Sequence, residues 1–449
     1  MSDTHLSPSL PLSEVLLLSA RHVEGVLAGK SLSDSLAATP APARAAVQSV
    51  SFHVLRRLGH ARQIRITLVP RQPGNPWLDA LLMVSLALLD TAMRVQADAQ
   101  VFADRSDVPV YAVHTVVDQA VRAADSQAAL RQSKGLVNGV LRRFTREREA
   151  ILAQVESRPE ARWNHPGWWV KELRRAYPRD WEALLQAANR PGPLTLRVNQ
   201  RRCTVERLRA VLQEAGIASS SPGQGAVTLD KALPVHAIPG FDLGWWSVQD
   251  WSAQQAGLLL PLRDGMRVLD ACAAPGGKTA HLLEQADLSL LALDSDAERL
   301  QRVSQNLRRL GLDGEHVRVA QGNAARPAQW WDGRPFDAIL ADVPCTASGI
   351  VRRHPDIRWL RRESDVADTA RLQSTILDAL WSTLRVGGHL LYSTCSIFPA
   401  EGQQQVEAFL ARHGEAELLP SPGQILPGVP GRSLADGDGF FYALFTRRA

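Results

Sequence analysis

Residues 267–285 read Arg267-Val-Leu-Asp-Ala-Cys-Ala-Ala-Pro-Gly-Gly-Lys-Thr-Ala-His-Leu-Leu-Glu-Gln285. An apolar run from Arg267 to Cys272 is followed by a Pro275-Gly276-Gly277 break and then by a helical pattern, Thr279 to Gln285. That order predicts a buried strand, a glycine turn and a helix. A ligand can approach the backbone closely at such a turn, where the unpaired N–H groups of the helix start are available.

The period continues downstream. Leu288 to Asp294, His316 to Gln321, Phe336 to Asp342 and Gly388 to Thr394 read as further buried strands, with helical patterns at Ala297 to Leu310 and Asp365 to Leu384 and a last strand at Phe440 to Phe445. Strands alternating with helices predict a parallel, doubly wound α/β sheet over residues 256–449. The triplet Gly277-Lys278-Thr279 looks like the end of a P-loop, but that motif needs glycine where this chain has Cys272. A GxGxxG fingerprint is missing as well.

Asp294 closes the second strand about 20 residues after the loop, the position of an acid that holds a ribose hydroxyl pair. Asn323 follows the third strand and Asp342 ends the fourth. Each alone also suits a helix cap or the surface, but polar groups at successive carboxyl ends line the crevice where such sheets bind ligands. A shared cofactor site is expected there. Cys345, in Asp342-Val-Pro-Cys345, and Cys395, in Tyr392-Ser-Thr-Cys-Ser396, fall just past the fourth and fifth strands. If those strands are neighbours, about 4.8 Å apart, both thiols reach one pocket. The alternative is a pair of inert buried thiols.

The 449 residues are 45% hydrophobic and 22% charged, a globular profile with room for about three domains of roughly 150 residues. The best apolar stretch, Leu78 to Leu89, carries Asp79 and Ser85, so no membrane span is expected. Met1 to Leu10 has no basic segment followed by an apolar core, so a cytoplasmic location is the default. The four cysteines, Cys203 and Cys272 with the two above, include no CxxC pair, which argues against a disulfide framework and a zinc cluster. The net charge of +5 divides unevenly: residues 1–250 carry 30 basic and 23 acidic side chains, and the remainder 21 and 23. Only five of the basic residues are lysines, a bias that gene base composition also explains. Arginine suits bidentate phosphate contacts, and a basic first half points to nucleic acid.

Residues 1–150 read as a bundle of six or seven helices, with amphipathic segments at Ser13 to Leu27, Ala43 to Leu58, Trp77 to Met93, Pro109 to Ala124 and Ser133 to Phe144. Arg146 and Arg148 follow, either as a solvated helix end or as a phosphate-contacting ridge. Residues 160–255 read as a small α+β module, with a strand at Leu194 to Val198, a helix at Val205 to Ala215 and a loop at Ser219 to Gly225. Its start interleaves Trp163, Trp168, Trp169 and Trp181 with arginines, a surface able to stack bases, although tryptophans in so small a module are more often core.

Residues Ala271 to His281, Asp342 to Arg362 (DVPCTASGIVRRHPDIRWLRR) and Ser393 to Ser396 resemble the signatures of the Fmu/Sun family of S-adenosylmethionine-dependent RNA cytosine-5 methyltransferases. His114 to Val117 and Lys134 to Phe144 are similar to the NusB-like RNA-binding domain that marks the bacterial 16S rRNA branch of this family. His165 to Trp168 and Leu196 to Asn199 resemble its intermediate module. The resemblance covers nearly the whole chain. It implies a Rossmann-like class I methyltransferase domain with S-adenosyl-L-methionine over Cys272, Ala273, Ala274, Pro275, Gly276, Gly277 and Lys278, Asp294 on the ribose and Asn323 by the adenine.

Cytosine C5 is a poor nucleophile, so a thiolate first adds at C6, splitting one hard step into two. The resemblance implies Cys395 as that nucleophile and Cys345 as the thiol that assists elimination of the methylated base. Asp342 is expected at the base edge near N3, and Lys278 to polarise the site or lower a neighbouring thiol's pKa. The base must leave its stack to reach the thiol. Two positions depart from the family pattern: Asn323 replaces the usual Asp, which puts cofactor affinity in question, and Trp251 replaces a small residue after Gln249-Asp250. The expected partner is naked or partly assembled 16S rRNA, bound by a monomer without metal. A catalytically idle RNA-binding assembly factor, and the same chemistry on tRNA or 23S rRNA, are the competing readings.

Overall fold

The computed structural model describes residues 10–102, 107–433 and 436–449. Its contacts divide the chain into two units. One runs to Pro191 and adds Arg353–Arg362; the other comprises Gly192–Arg352 and Glu363–Ala449.

The first unit holds seven α-helices between Leu12 and Val155 among the described residues, followed by short helices at Pro159–Trp163, Gly167–Ala176 and Trp181–Ala188. Its centre is the helix Pro76–Ala97, buried without interruption from Trp77 to Ala92 because it is mostly apolar on all sides and its buried Asp79 and Asp90 are ion-paired. Asn75 caps it, accepting from the N–H groups of Trp77 and Leu78, and Pro76 fills the first position, where no N–H is needed. The helix expected from Ala43 to Leu58 runs Ala41–Leu55, and a further helix not expected from the sequence, Leu58–Leu68, follows it. The restart lies at Gly59, whose N–H donates to Asn164 Oδ1 at 2.7 Å and where a Cβ would come within 2.3 Å of the Glu160 carbonyl.

Asp90, fully buried in that central helix, accepts from Arg57, Arg94 and Arg148. Burial alone would raise its pKa, but the three guanidinium groups carry it below the ordinary value. Arg148, read as part of a possible RNA-facing ridge, is therefore committed to the core, whereas Arg142, Arg143 and Arg146 are exposed. Trp163 and Trp169 are likewise core residues rather than base-stacking surfaces.

Residues 353–362 complete this unit. Asp356 accepts from Leu32 N, Trp359 Nε1 donates to the Leu55 carbonyl at 3.0 Å, and fully buried Arg358 donates to the carbonyls of Asn164 and Ala188. Burial, then Arg56, lowers the Arg358 pKa to about 9.

The second unit opens with an antiparallel sheet, order β2-β3-β1-β4, built from β1 (Leu194–Val198), β2 (Ser219–Ser220), β3 (Ala226–Leu229) and β4 (Trp246–Val248). Ser219 and Ser220, expected in a loop, pair with Leu229 and Thr228 instead. Leu196, Val198, Val227 and Trp246 pack with Leu208 and Leu212 of the helix Val205–Glu214.

Beyond it lie β5 (Arg267–Asp270), β6 (Ser289–Asp294), β7 (Val317–Gln321), β8 (Phe336–Asp342), β9 (Leu384–Thr394), β10 (Ala416–Ile425) and β11 (Phe440–Arg447), in the order β10-β11-β9-β8-β5-β6-β7. Five strands are parallel, and β11 and β10 close one edge antiparallel. One face packs on Leu282, Leu300, Val303 and Leu307, the other on Ile376, Leu380, Trp381 and Phe409, as a doubly wound sheet requires. No strand was expected at β10, because Pro420, Pro422 and Gly423 break its pattern. It is an edge strand with a register shift between Leu419 and Gly423, where proline is tolerated.

The two sheets of this unit are joined by a buried ion pair. Arg197 of β1 donates to both carboxylate oxygens of Glu284 at 2.9 and 2.7 Å, and to the Gly277 carbonyl at 2.6 Å. With side chains only 1% and 3% exposed, neither charge has solvent to replace its partner. Glu284→Ala should cost about 3–5 kcal/mol by stranding the guanidinium, whereas Arg197→Met with Glu284→Leu should recover most of that loss. Denaturant unfolding of both variants checks this.

Candidate active site

After β5 the chain turns through Cys272 to Gly276 into the helix Gly277–Gln285. Ala273 N donates to the Leu293 carbonyl and Ala274 N to Asp294 Oδ2 at 3.0 Å, which stitches the loop to the end of β6. Arg299 donates to the Ala274 carbonyl from the next helix. Gly276 has φ +97°, and a Cβ there would lie 3.0 Å from Val303 Cα, so the turn requires glycine on both counts.

β8 pairs with β9 so that Asp342 stands opposite Ser393. The loops that follow bring Cys345 Sγ and Cys395 Sγ to 3.4 Å. Asp342 is fixed from two sides, by Ser393 Oγ at 2.7 Å and Lys278 Nζ at 2.6 Å. Burial alone would lower the Lys278 pKa, but the Asp342 carboxylate, with further contributions from Cys395 and Asp270, raises it, so the ammonium stays charged. Hydrogen bonding to Cys395 and burial push the Cys345 thiol well above its ordinary value, with Glu401 adding to the effect.

A cavity of about 360 Å³ is lined by Cys272, Ala274, Asp294, Asn323, Asp342, Cys345 and Cys395, together with Arg299, Leu372 and Ile376. Ala273, Pro275, Gly276, Gly277 and Lys278 are not among its lining residues; they shape the loop behind it. Both Asp294 oxygens accept backbone N–H groups, from Ala274 and Asp296. Exposed Asn323 caps its own turn, its Oδ1 accepting from Ala325 N. Trp251 lies away from this cavity with its ring over Gly223, where a Cβ would come 2.5 Å from it.

The cavity suits a cationic cofactor. Burial, then Asp342, Asp270 and Asp294, push the Cys272 thiol well above its ordinary value, so the loop cysteine is neutral within a ring of carboxylates. Asp270 Oδ2 accepts from Thr279 Oγ1 at 2.6 Å, but its buried Oδ1 has no partner among the described residues. Burial lifts the Asp270 pKa to about 7. Among the described residues no cluster of histidine, cysteine or carboxylate side chains could hold a metal, and no helix is long and apolar enough to cross a membrane.

Sequence reasoning missed Ser393 as the second anchor of Asp342, and Glu401, fully buried behind both thiol loops. The available signal for Glu401 was an acid six residues after Cys395 inside an otherwise apolar stretch, Ile397-Phe398-Pro399-Ala400.

Comparison with known proteins identifies two matched regions. Residues 257–446 match the family model of the 16S rRNA methyltransferase RsmB/F, and residues 165–236 that of an RsmF/B-like ferredoxin-like domain. The ribosomal RNA small subunit methyltransferase B of Vibrio cholerae serotype O1 is 40% identical over 433 residues, covering 94% of each chain. That of Citrobacter koseri is 47% identical over 323 residues, 71% of this chain and 74% of its own. The crystal structure of PH0851 superposes with a TM-score of 0.75 over 98% of this chain and 99% of its own at 22% identity, a likeness of fold. NSun6 from Pyrococcus horikoshii, solved with SFG, superposes at 0.56 over 63% of this chain and 98% of its own at 19% identity.

Because the folded pKa of Asp270 lies above the unfolded value near 3.8, its contribution to stability is complete below that value and lost as pH rises through about 7. The ligand-free protein should lose up to about 4 kcal/mol between pH 4 and 8 from this group. Asp270→Asn should remove that slope, which denaturant midpoints across the range will show.

Proposed function

The chain belongs to the RsmB/F family of ribosomal RNA methyltransferases, and on that premise we propose that it methylates C5 of a cytosine in 16S rRNA through a covalent bond from Cys395 to C6 of the base. It is an S-adenosyl-L-methionine-dependent enzyme. When bound, the cofactor supplies an electrophilic methyl group on a sulfonium centre. The loop Cys272–Lys278, Asp294 and Asn323 would hold it, with the carboxylates of Asp294 and Asp342 lining the cavity beside its positive charge.

The observation that carries the reading is the 3.4 Å approach of two thiols beside an anchored carboxylate. The resemblance to the family assigns the attack to Cys395, and hydrogen bonding and burial keep the neighbouring Cys345 thiol neutral. Addition at C6 moves the C5–C6 π electrons toward C5, which can then take the methyl group. Asp342, oriented by Lys278 and Ser393, hydrogen-bonds the base edge near N3, and the Lys278 ammonium beside it offsets the negative charge that thiolate addition puts on the ring. Loss of the C5 proton to water lets its bonding electrons rebuild the C5–C6 double bond and expels Cys395 as a thiolate, which releases the product, with Cys345 assisting that elimination. The target cytosine is flipped from its stack to enter the cavity.

In the same reading, residues 1–150 form a NusB-like helical domain that holds RNA, residues 160–255 contribute recognition, and residues 256–449 carry the chemistry. The +7 charge of residues 1–250 and the exposed Arg142, Arg143 and Arg146 support this division.

Two sets of experiments follow from it. Cys395→Ala should abolish tritium transfer to 16S rRNA, whereas Cys345→Ala should accumulate an RNA–protein adduct that survives denaturation; an active Cys395→Ala protein would overturn the nucleophile assignment. Cofactor binding without transfer to any RNA would instead indicate an idle assembly factor. Arg142→Gln with Arg146→Gln should weaken RNA binding and flatten the slope of log affinity against log salt by about two. Filter binding from low to high salt measures it.

A further inference from the structure

Glu401 has no solvent exposure, and hydrogen-bond donors surround its carboxylate. Oε1 accepts from Thr346 N at 2.8 Å, Thr369 Oγ1 at 2.8 Å and Gln373 Nε2 at 3.2 Å. Oε2 accepts from Thr346 Oγ1 and from Ser396 Oγ at 2.6 Å. Its own carbonyl accepts from Tyr392 Oη at 2.8 Å and Thr394 Oγ1 at 3.2 Å. Thr346 follows Cys345 and Ser396 follows Cys395, so one carboxylate binds the neighbours of both sulfurs. Five donors converging on one buried carboxylate define a rigid joint rather than a loose contact.

The joint is reinforced nearby. Ser348 Oγ lies 2.9 Å from Ser396 Oγ and accepts from Ile397 N, and Gly349 N donates to the Cys395 carbonyl. All of these cross between the loop after β8 and the loop after β9. Strand pairing ends at Asp342 and Ser393, before either cysteine, so the ladder alone does not set the distance between the sulfurs.

We infer that Glu401 is a positioning residue for methyl transfer: its buried carboxylate ties the Cys345 loop to the Cys395 loop and sets the spacing of the two sulfurs. This rests on the reading of both thiols as reactive. The same carboxylate also raises the pKa of Cys345, behind hydrogen bonding to Cys395 and burial, and so helps keep that thiol protonated.

The test compares Glu401→Gln with Phe409→Leu, a core change in the helix Gln403–Arg412, which packs against the same sheet, that leaves both loops untouched, matched for loss of thermal midpoint. The amide keeps one acceptor but turns donors toward donors, so Glu401→Gln should lower kcat about a hundredfold, the effect of a displacement near 1 Å, with S-adenosylmethionine affinity unchanged. Phe409→Leu should keep its kcat. A second readout is independent of turnover: diamide should oxidise Cys345 and Cys395 of the parent protein to a disulfide, detected by peptide mass spectrometry, and Glu401→Gln should slow that reaction. If Glu401→Gln does not fold, Thr346→Val, which removes a single donor, takes its place. Parental kcat with parental diamide kinetics would overturn the inference, as would equal losses of kcat in Glu401→Gln and Phe409→Leu. An active Cys395→Ala protein would sink the reading of the thiols, whereas the diamide rates would still decide whether Glu401 sets the spacing.

Discussion

The parallel pairing of β8 with β9, Asp342 opposite Ser393, is the constraint on which the site depends. It delivers two thiols 50 residues apart in sequence to one place and turns Asp342 between Ser393 and Lys278. A slip of one residue would exchange the faces of the strand, burying Asp342 in the core and breaking both contacts. The register is held because both faces are covered: Leu340 and Leu391 pack toward one set of helices, Ile339, Leu390 and Tyr392 toward the other. Apolar packing on either side thus fixes the position of a polar site at the strand ends.

Around that frame the charges divide the cavity into two halves. Asp270, Asp294 and Asp342 surround the glycine loop, where they favour a positive ligand and keep Cys272 neutral. At the thiol end, Lys278 supplies the positive charge and Glu401 the negative one. The Cys345 thiol, 3.4 Å from Cys395, is kept neutral by these surroundings.

Much of this was legible in the sequence because strand-end polar residues and glycine turns leave local marks. The five parallel strands, the loop from Cys272 to Lys278 and the convergence of Cys345 with Cys395 all follow from short patterns. The failures arise where partners are distant. The strand at Ala416–Ile425 is concealed by its prolines, since only its edge position makes them tolerable. Arg148 looks like surface charge until Asp90, 58 residues earlier, is seen to claim it. Glu401 carries no periodic signal, for its five donors come from three separate segments. Residues 353–362 sit within what reads as a continuous catalytic signature, yet their contacts belong to the helical unit.

That last placement has a consequence for how the chain is made. The helical unit cannot be finished when Pro191 leaves the ribosome, because Asp356, Arg358 and Trp359, which satisfy Leu32, Asn164 and Leu55, lie more than 160 residues later. At about 5–20 residues per second, the gap lasts roughly 10–30 s. During that interval the first half of the nascent protein waits with open seams, and its completion coincides with synthesis of the catalytic sheet rather than preceding it.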